Sequence, residues 1–144
     1  MTKNLLTLQR DETTLCEVYR RLAGLEKDPV RRRTLLRIMQ DERRHCEVLK
    51  SRTGRTVAPD SKRVFWYVGM VRVLGPAFVV RRMEQCERGA EANYALYPER
   101  EEFVRIALEE RRHSEELTTL AGGMRLCYIS SVVLGVKAAL VEST

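Results

Sequence analysis

The chain contains the heptapeptide Asp41-Glu-Arg-Arg-His-Cys-Glu47 and repeats its pattern as Glu109-Glu-Arg-Arg-His-Ser-Glu115. In each copy a glutamate, the second residue, precedes a histidine, the fifth residue, by three positions. Residues three apart on an α-helix lie on one face, about 4.5 Å apart along the axis. Each copy therefore predicts a helix that presents a carboxylate and an imidazole side by side.

Each heptapeptide lies in a longer run of residues spaced alternately by three and four, the a and d pattern of a helix with one buried face. Two further runs have the same spacing. The four runs are Leu5, Leu8, Glu12, Leu15, Tyr19 and Leu22; Leu35, Ile38, Glu42, His45 and Leu49; Val80, Met83, Glu87, Ala90, Tyr94 and Tyr97; and Phe103, Ile106, Glu110, His113, Leu117 and Leu120. The sequence thus predicts four amphipathic helices.

Turn and cap residues separate the predicted helices. Asp28 followed by Pro29 is typical of a helix start, with aspartate as the N-cap and proline at the first helical position. Pro98 ends the third helix and is expected to open the fourth. The pair Gly122-Gly123 is expected to end the fourth helix.

A long connection joins the second and third predicted helices. It contains the irregular stretch 51–61 and the apolar segment 64–74, which we interpret as a short helix or a crossover segment. Two short loops and one long crossover favour an all-α, ferritin-like four-helix bundle. We expect a C-terminal fifth helix as well, so that residues 1–123 form the bundle and residues 124–144 form an apolar helix or the remnant of a linker.

The composition agrees with a helical globular protein. The 144 residues are 44% hydrophobic and 32% charged, with 4 prolines and 8 glycines. These values favour long helices over disorder or many short strands. The net charge of 26 − 20 = +6 comes from interspersed charges of both signs, so we expect no nucleic-acid partner.

The cysteines and the N-terminal residues favour a cytoplasmic location. The four cysteines are Cys16, Cys46, Cys86 and Cys127. They form no Cys-x2-Cys pair, which argues against a zinc ribbon, and without a secretory signal we expect reduced thiols. The most apolar run, residues 126–141, is shorter than the roughly 18 residues of a membrane span and contains Lys137.

Each predicted helix carries one glutamate at an a position. These glutamates are Glu12, Glu42, Glu87 and Glu110, and His45 and His113 occupy the next d positions after the second and fourth of them. Charged core residues are costly unless they are paired or bind metal, and two divalent cations would neutralise four carboxylates. Di-iron carboxylate bundles have the same ligand pattern. Two of their helices each supply one glutamate, and the other two each supply a Glu-x2-His pair. We therefore predict that these six residues bind two iron ions, or two manganese ions.

Four further residues lie close to the predicted ligands. Glu84 and Glu91 lie at e positions beside the third run, the buried face of the third predicted helix, and either could be an alternate ligand. Tyr19 and Tyr94 each follow a predicted ligand by seven residues. Because helical side chains lean toward the N-terminus, each hydroxyl can turn back to hydrogen-bond a ligand carboxylate. The alternative is an aromatic core residue whose hydroxyl contacts water.

The double pattern of Glu-x6-Tyr and then Glu-x2-His resembles the rubrerythrin-like, or erythrin, domains of the ferritin-like superfamily. The resemblance covers roughly residues 9–116. Val18-Tyr-Arg-Arg-Leu-Ala23 and Phe78-Val-Val-Arg-Arg-Met-Glu-Gln-Cys-Glu87 are similar to the branch that is fused to vacuolar-iron-transporter membrane domains. Tyr128-Ile-Ser-Ser-Val-Val-Leu-Gly135 resembles the linker and first membrane segment of that transporter.

The resemblance implies a non-haem di-iron protein that oxidises ferrous iron and reduces hydrogen peroxide or dioxygen, in iron homeostasis or oxidative-stress defence. Tyr19 and Tyr94 would support the ligands. The alternative is a non-catalytic iron-binding domain with a sensory or regulatory role for an iron transporter, and we expect membrane contact only in association with such a transporter. Apolar residues outside the four stripes favour a homodimer that buries the Trp66 region or the tail.

Overall fold

The computed structural model describes the backbone of residues 4–142 and the side chains of residues 4–124. The elements are α1 (Leu5–Leu25), α2 (Pro29–Thr53), α3 (Ser61–Leu74), α4 (Pro76–Tyr94) and α5 (Glu101–Glu142). The described residues contain helices and connections but no strand, which confirms the all-α prediction.

Two helical hairpins build the molecule. α1 packs against α2, and α4 packs against α5, each pair being joined by a short loop. α3 lies in the long connection, as the apolar segment 64–74 predicts, and it contacts both α1 and α4. α2 and α5 also meet, so one helix of each hairpin contacts its counterpart in the other.

Cap residues set the helix ends at two connections. The Asp28 carboxylate accepts hydrogen bonds from the backbone N–H groups of Val30 and Arg31 at 3.0 and 2.9 Å, which confirms the predicted start of α2. Gly75 ends α3 and caps α4 with a φ of 86°, a left-handed value that a residue with a Cβ rarely adopts.

The predicted end of the last helix at Gly122-Gly123 is wrong. α5 continues through both glycines to Glu142, so the expected C-terminal fifth helix is the second part of α5, and the fifth helix of the fold is α3. Ala121 and Met124 flank the glycines and are both buried in the same apolar cluster. Continuous helical register through the glycines is what brings both side chains to that cluster.

Pro98 also lies outside the helices. α4 ends four residues before it, at Tyr94, and α5 begins three residues after it, at Glu101, so the proline sits in a turn and does not open α5. Among the residues that the structure describes, no helix has the length and hydropathy needed to cross a membrane.

Two apolar clusters leave a polar space between them. The larger cluster joins all five helices toward the end of the bundle where α1 ends and α2 begins, and it includes Ile38, Met83 and Leu117. The smaller cluster, toward the opposite end, includes Leu49 and Phe103. The a-position glutamates lie between the two clusters along α1, α2, α4 and α5, so the core is interrupted by charged side chains.

Candidate metal centre

The structure brings the six predicted ligands together in the middle of the bundle. α1 supplies Glu12, α2 supplies Glu42 and His45, α4 supplies Glu87, and α5 supplies Glu110 and His113. All six are buried, and none is more than 2% exposed. Their helices therefore carry the charged groups into the core and away from solvent.

The six residues form two overlapping groups of four. In each group, one ligand atom per residue lies within 4.8 Å of the others. The groups are Glu12, Glu42, His45 and Glu110, and Glu42, Glu87, Glu110 and His113. Because Glu42 and Glu110 belong to both, each carboxylate can bridge two cations, while each histidine serves one.

Both histidines direct Nδ1 toward the carboxylates. His45 Nδ1 lies 2.8 Å from Glu110 Oε1 and 3.6 Å from Glu12 Oε2. His113 Nδ1 lies 3.2 Å from Glu42 Oε1. The two imidazole rings stack at 5.9 Å between centroids and 28° between planes. The nitrogens and oxygens thus surround a common space.

Eight buried ligand atoms have no hydrogen-bond partner among the described residues. They are Glu12 Oε2, both carboxylate oxygens of Glu42, Glu87 Oε2, both carboxylate oxygens of Glu110, His45 Nδ1 and His113 Nδ1. Some of them approach one another as histidine–carboxylate ion pairs, the shortest of which joins His45 Nδ1 and Glu110 Oε1 at 2.8 Å. A buried polar atom without a partner costs about 1–3 kcal/mol. Oxygen and imidazole donors facing one space fit two divalent cations in chemistry and in number.

The outer nitrogens of the histidines bond to acids that the sequence analysis did not single out. His45 Nε2 lies 2.7 Å from Glu109 Oε2, and His113 Nε2 lies 3.0 Å from Asp41 Oδ2. Each acid comes from the opposite hairpin and directly precedes a ligand glutamate. With the proton on Nε2, each histidine presents the Nδ1 lone pair to the centre. The signal was present, since both heptapeptides begin with an acidic residue.

Both tyrosines donate hydrogen bonds to carboxylates of the predicted ligands. This favours the interpretation that they support the ligands over that of core residues whose hydroxyl contacts water. Tyr94 Oη donates to Glu12 Oε1 at 2.5 Å, and Tyr19 Oη donates to Glu87 Oε1. Both bonds connect α1 with α4, and both tyrosines are fully buried. Each bond fixes one carboxylate oxygen and leaves the other oxygen directed at the centre.

Burial and mutual repulsion control the protonation of the centre. Burial raises the pKa of Glu42 and of Glu87 well above the ordinary value, and the neighbouring carboxylates raise both further. Burial lowers the pKa of His45, but the hydrogen bond with Glu109 and the adjacent carboxylates of Glu110 and Glu12 outweigh it and raise the pKa to about 12. Burial also lowers the pKa of His113, but the adjacent carboxylates of Glu110 and Glu87 outweigh it and raise the pKa to about 10. Without cations, the centre therefore holds protons in their place.

Neither alternate ligand reaches the centre in the structure. Glu84 forms an ion pair with Arg88 one turn later on α4, and Glu91 bonds to Arg111 of α5 at 2.8 Å. At their e positions, both side chains point to the flank of α4, where arginines neutralise them. The prediction of an alternate ligand at these residues is therefore not supported.

Three cysteines lie around the bundle as free, half-buried thiols. Burial raises the pKa of Cys16, and it raises the pKa of Cys46 to about 12, so both thiols stay protonated. Cys127 lies outside the residues whose side chains are described.

A pocket of about 270 Å³ leads from the surface to the α1 side of the centre. Glu12 lies at its inner wall, and Asp11, Arg63, Arg82 and Cys86 contribute to its lining. The pocket is large enough for a small oxidant or a hydrated cation, and the predicted ligand Glu12 is among the residues that line it.

Comparison of the chain with protein-family models, with curated proteins and with solved structures gave no match. The assignment of a function therefore depends on the geometry of the centre and on the motif resemblance.

Proposed function

We propose that this chain is a ferritin-like di-iron protein of the rubrerythrin type, which oxidises ferrous iron and reduces hydrogen peroxide or dioxygen. One observation carries the proposal: eight unpartnered, buried donor atoms surround one space in two overlapping four-residue groups. The two histidines form ion pairs with some of these atoms, but two imidazoles cannot neutralise four buried carboxylates. Two cations bridged by Glu42 and Glu110 would satisfy them.

The donor set favours iron or manganese over other divalent metals. Four carboxylates and two imidazoles contain no thiolate, which structural zinc sites and copper sites frequently use, and oxygen and imidazole donors suit iron and manganese. A bound pair of iron ions supplies one-electron redox chemistry and open positions for an oxidant. The resemblance to rubrerythrin-like domains favours iron.

The chain's own residues would prepare the centre for this reaction. Tyr19 and Tyr94 hold the carboxylates of Glu87 and Glu12, so that one oxygen of each remains directed inward. Asp41 orients the ring of His113 in the same way as Glu109 orients that of His45. Burial of all six ligands excludes bulk water, while the pocket beside Glu12 gives small reactants access.

The experiment is metal binding by the purified apo chain under anaerobic conditions. We expect two ferrous ions per chain, and loss of both in the double variant Glu42→Ala, Glu110→Ala, because both groups share these residues. The matched control is Glu47→Gln with Glu115→Gln, the exposed glutamates at equivalent positions of the two heptapeptides. Two ions retained by the alanine variant would contradict the assignment.

Reaction of the iron-loaded protein tests the chemistry itself. We expect ferrous ions at the centre to react faster with hydrogen peroxide than with dioxygen in stopped-flow absorption, since the ligand set with two histidines resembles that of rubrerythrins. A faster reaction with dioxygen would favour a ferritin-type ferroxidase. Iron binding without reaction toward either oxidant would favour the sensory or regulatory alternative.

We also propose a homodimer. Phe65 and Val73 on α3 are 80% and 70% exposed, and Leu74 beside them is 54% exposed. Such a patch favours association, and a two-fold dimer is the commonest result. Light scattering should give twice the chain mass of 16.7 kDa, and Phe65→Ser with Val73→Ser should give a monomer. A monomeric wild-type chain would contradict this proposal.

A further inference from the structure

Three oxidisable side chains form a continuous path from the surface of α3 toward the centre. Trp66, which is 42% exposed in the single chain, contacts buried Tyr67 edge to face at 5.1 Å between ring centroids. The Tyr67 hydroxyl lies 3.3 Å from Cys86 Sγ on α4. Indole, phenol and thiol are the side chains that most readily lose one electron, and here they are in contact in that order.

The inner end of this path adjoins a predicted ligand. Cys86 directly precedes Glu87, whose carboxylate belongs to the centre. Cys86 also lines the pocket whose inner wall is Glu12. Cys86 is therefore linked to the centre by the backbone to Glu87 and by the pocket that it lines together with Glu12.

We propose that Trp66, Tyr67 and Cys86 form a relay that carries single electrons between the protein surface and the metal centre. The proposal rests on the proposed function, because the centre must hold iron for the relay to have an oxidant. It supplies a path for electrons from a small one-electron reductant that reaches the exposed part of Trp66, which is not part of the proposed dimer patch of Phe65, Val73 and Leu74. This chain would then receive electrons through its own side chains.

The relay matters most when peroxide meets a centre with a single ferrous ion. With iron bound, the centre would supply one of the two electrons that hydrogen peroxide takes, and Tyr67 would supply the other by way of Cys86. With the phenolic proton of Tyr67 and one proton from solvent, the products are two water molecules, one ferric ion and a neutral tyrosyl radical. The external one-electron reductant then returns an electron to Tyr67 through the Trp66 contact, and Tyr67 regains a proton from solvent.

The surroundings of Tyr67 suit a proton-coupled step. Burial, together with the hydrogen bond to Cys86, raises the pKa of Tyr67 to about 12, so the phenol is protonated at rest. Oxidation makes its proton strongly acidic. The pocket beside Cys86 contains the Asp11 carboxylate, which is ion-paired with Arg63 at 2.5 Å, and the released proton can leave into this pocket.

The outer part of the relay can be tested without metal. Trp66 is the single tryptophan of the chain, so pulsed-laser photoionisation of the apo protein at a wavelength that tyrosine does not absorb oxidises it selectively. We expect its radical to convert into a tyrosyl radical, and Tyr67→Phe to abolish the conversion. Tyr97→Phe is the matched control and should retain it, because Tyr97 packs against Phe103 in the other apolar cluster. Equal conversion in wild type and Tyr67→Phe would overturn the relay.

The inner part is tested with one ferrous ion per chain and hydrogen peroxide, with rapid freezing and electron paramagnetic resonance. We expect a tyrosyl radical that is lost in Tyr67→Phe and weakened in Cys86→Ser, which keeps a hydrogen-bonding group but removes the oxidisable sulfur. No radical in iron-loaded wild type, or the same radical in Tyr67→Phe, would overturn the relay. Metal analysis of the same samples separates this outcome from failure of the proposed function, which would appear as protein without bound iron.

Discussion

Asp41 and Glu109 show how single residues support the centre from outside it. Each bonds the outer nitrogen of a histidine on the opposite hairpin, and Arg44 bonds both acids, at 3.0 and 2.7 Å. The hydrogen bond to His113 lowers the pKa of Asp41 despite burial, and that to His45 lowers the pKa of Glu109 to about 2. Both acids are therefore charged at neutral pH and can orient the rings.

Asp41→Asn should weaken metal binding although it removes no predicted ligand. Partners of ligand histidines typically contribute about 10–100-fold to metal affinity, and we expect a loss in that range. Glu116→Gln is the matched control, because Glu116 shares Arg37 and Arg112 with Asp41 but bonds neither histidine. Competition titration with Mn²⁺ measures both variants. Equal affinities would show that Asp41 only forms surface ion pairs.

The positions of the six candidate ligands could be predicted from sequence; the acids that begin both heptapeptides are visible there too, but their pairing with the histidines is not. Glu12 and Glu87 interrupt apolar stripes, and a stripe faces the core whatever the details of packing. Asp41 and Glu109 lie one position before a stripe residue, on the flank of the helix. Whether a flank residue reaches a histidine depends on how α2 and α5 cross, which no local pattern specifies.

At the scale of the helix, α5 shows the limit of glycine as a stop signal. Glycine costs about 1 kcal/mol relative to alanine in a helix interior, which is less than the burial of two apolar side chains provides. Ala121 and Met124 on either side are 1% and 5% exposed. Tertiary packing thus carries the helix through Gly122-Gly123, whereas Gly54, with no such packing and a φ of 67°, does end α2.

Alanine at Gly122 and Gly123 should stabilise the protein, whereas alanine at Gly54 should destabilise it. Gly122 and Gly123 are exposed, have negative φ, and have no atom within 4 Å of an added Cβ. Gly122→Ala with Gly123→Ala should therefore raise the free energy of unfolding by about 1 kcal/mol per site. Gly54→Ala should lower it, because alanine is strained at that φ. Chemical denaturation measures all three changes, and a destabilised double variant would contradict a continuous α5.

For the whole molecule, the buried charges connect stability, pH and metal. In the apo protein the raised pKa values of Glu42 and Glu87 mean that the folded state holds protons that the unfolded state releases as the pH rises above 4.5. The same holds for His45 and His113 above pH 6.5. Stability therefore falls as pH rises through the neutral range. Asp41 and Glu109 have lowered pKa values and contribute in the opposite sense, but only in the acid range.

Metal should reverse this dependence, because cations replace the protons and bind the deprotonated ligands more tightly as the pH increases. We expect the melting temperature of the apo chain to decrease from about pH 6 to about pH 8, and the increase caused by saturating Mn²⁺ to grow over the same interval. Glu42→Gln with Glu110→Gln should remove the effect of Mn²⁺ and flatten the apo profile, since two of the four repelling carboxylates are then neutral. An increase in melting temperature that is equal at both pH values, or that persists in the glutamine variant, would place the bound ions outside the six buried residues.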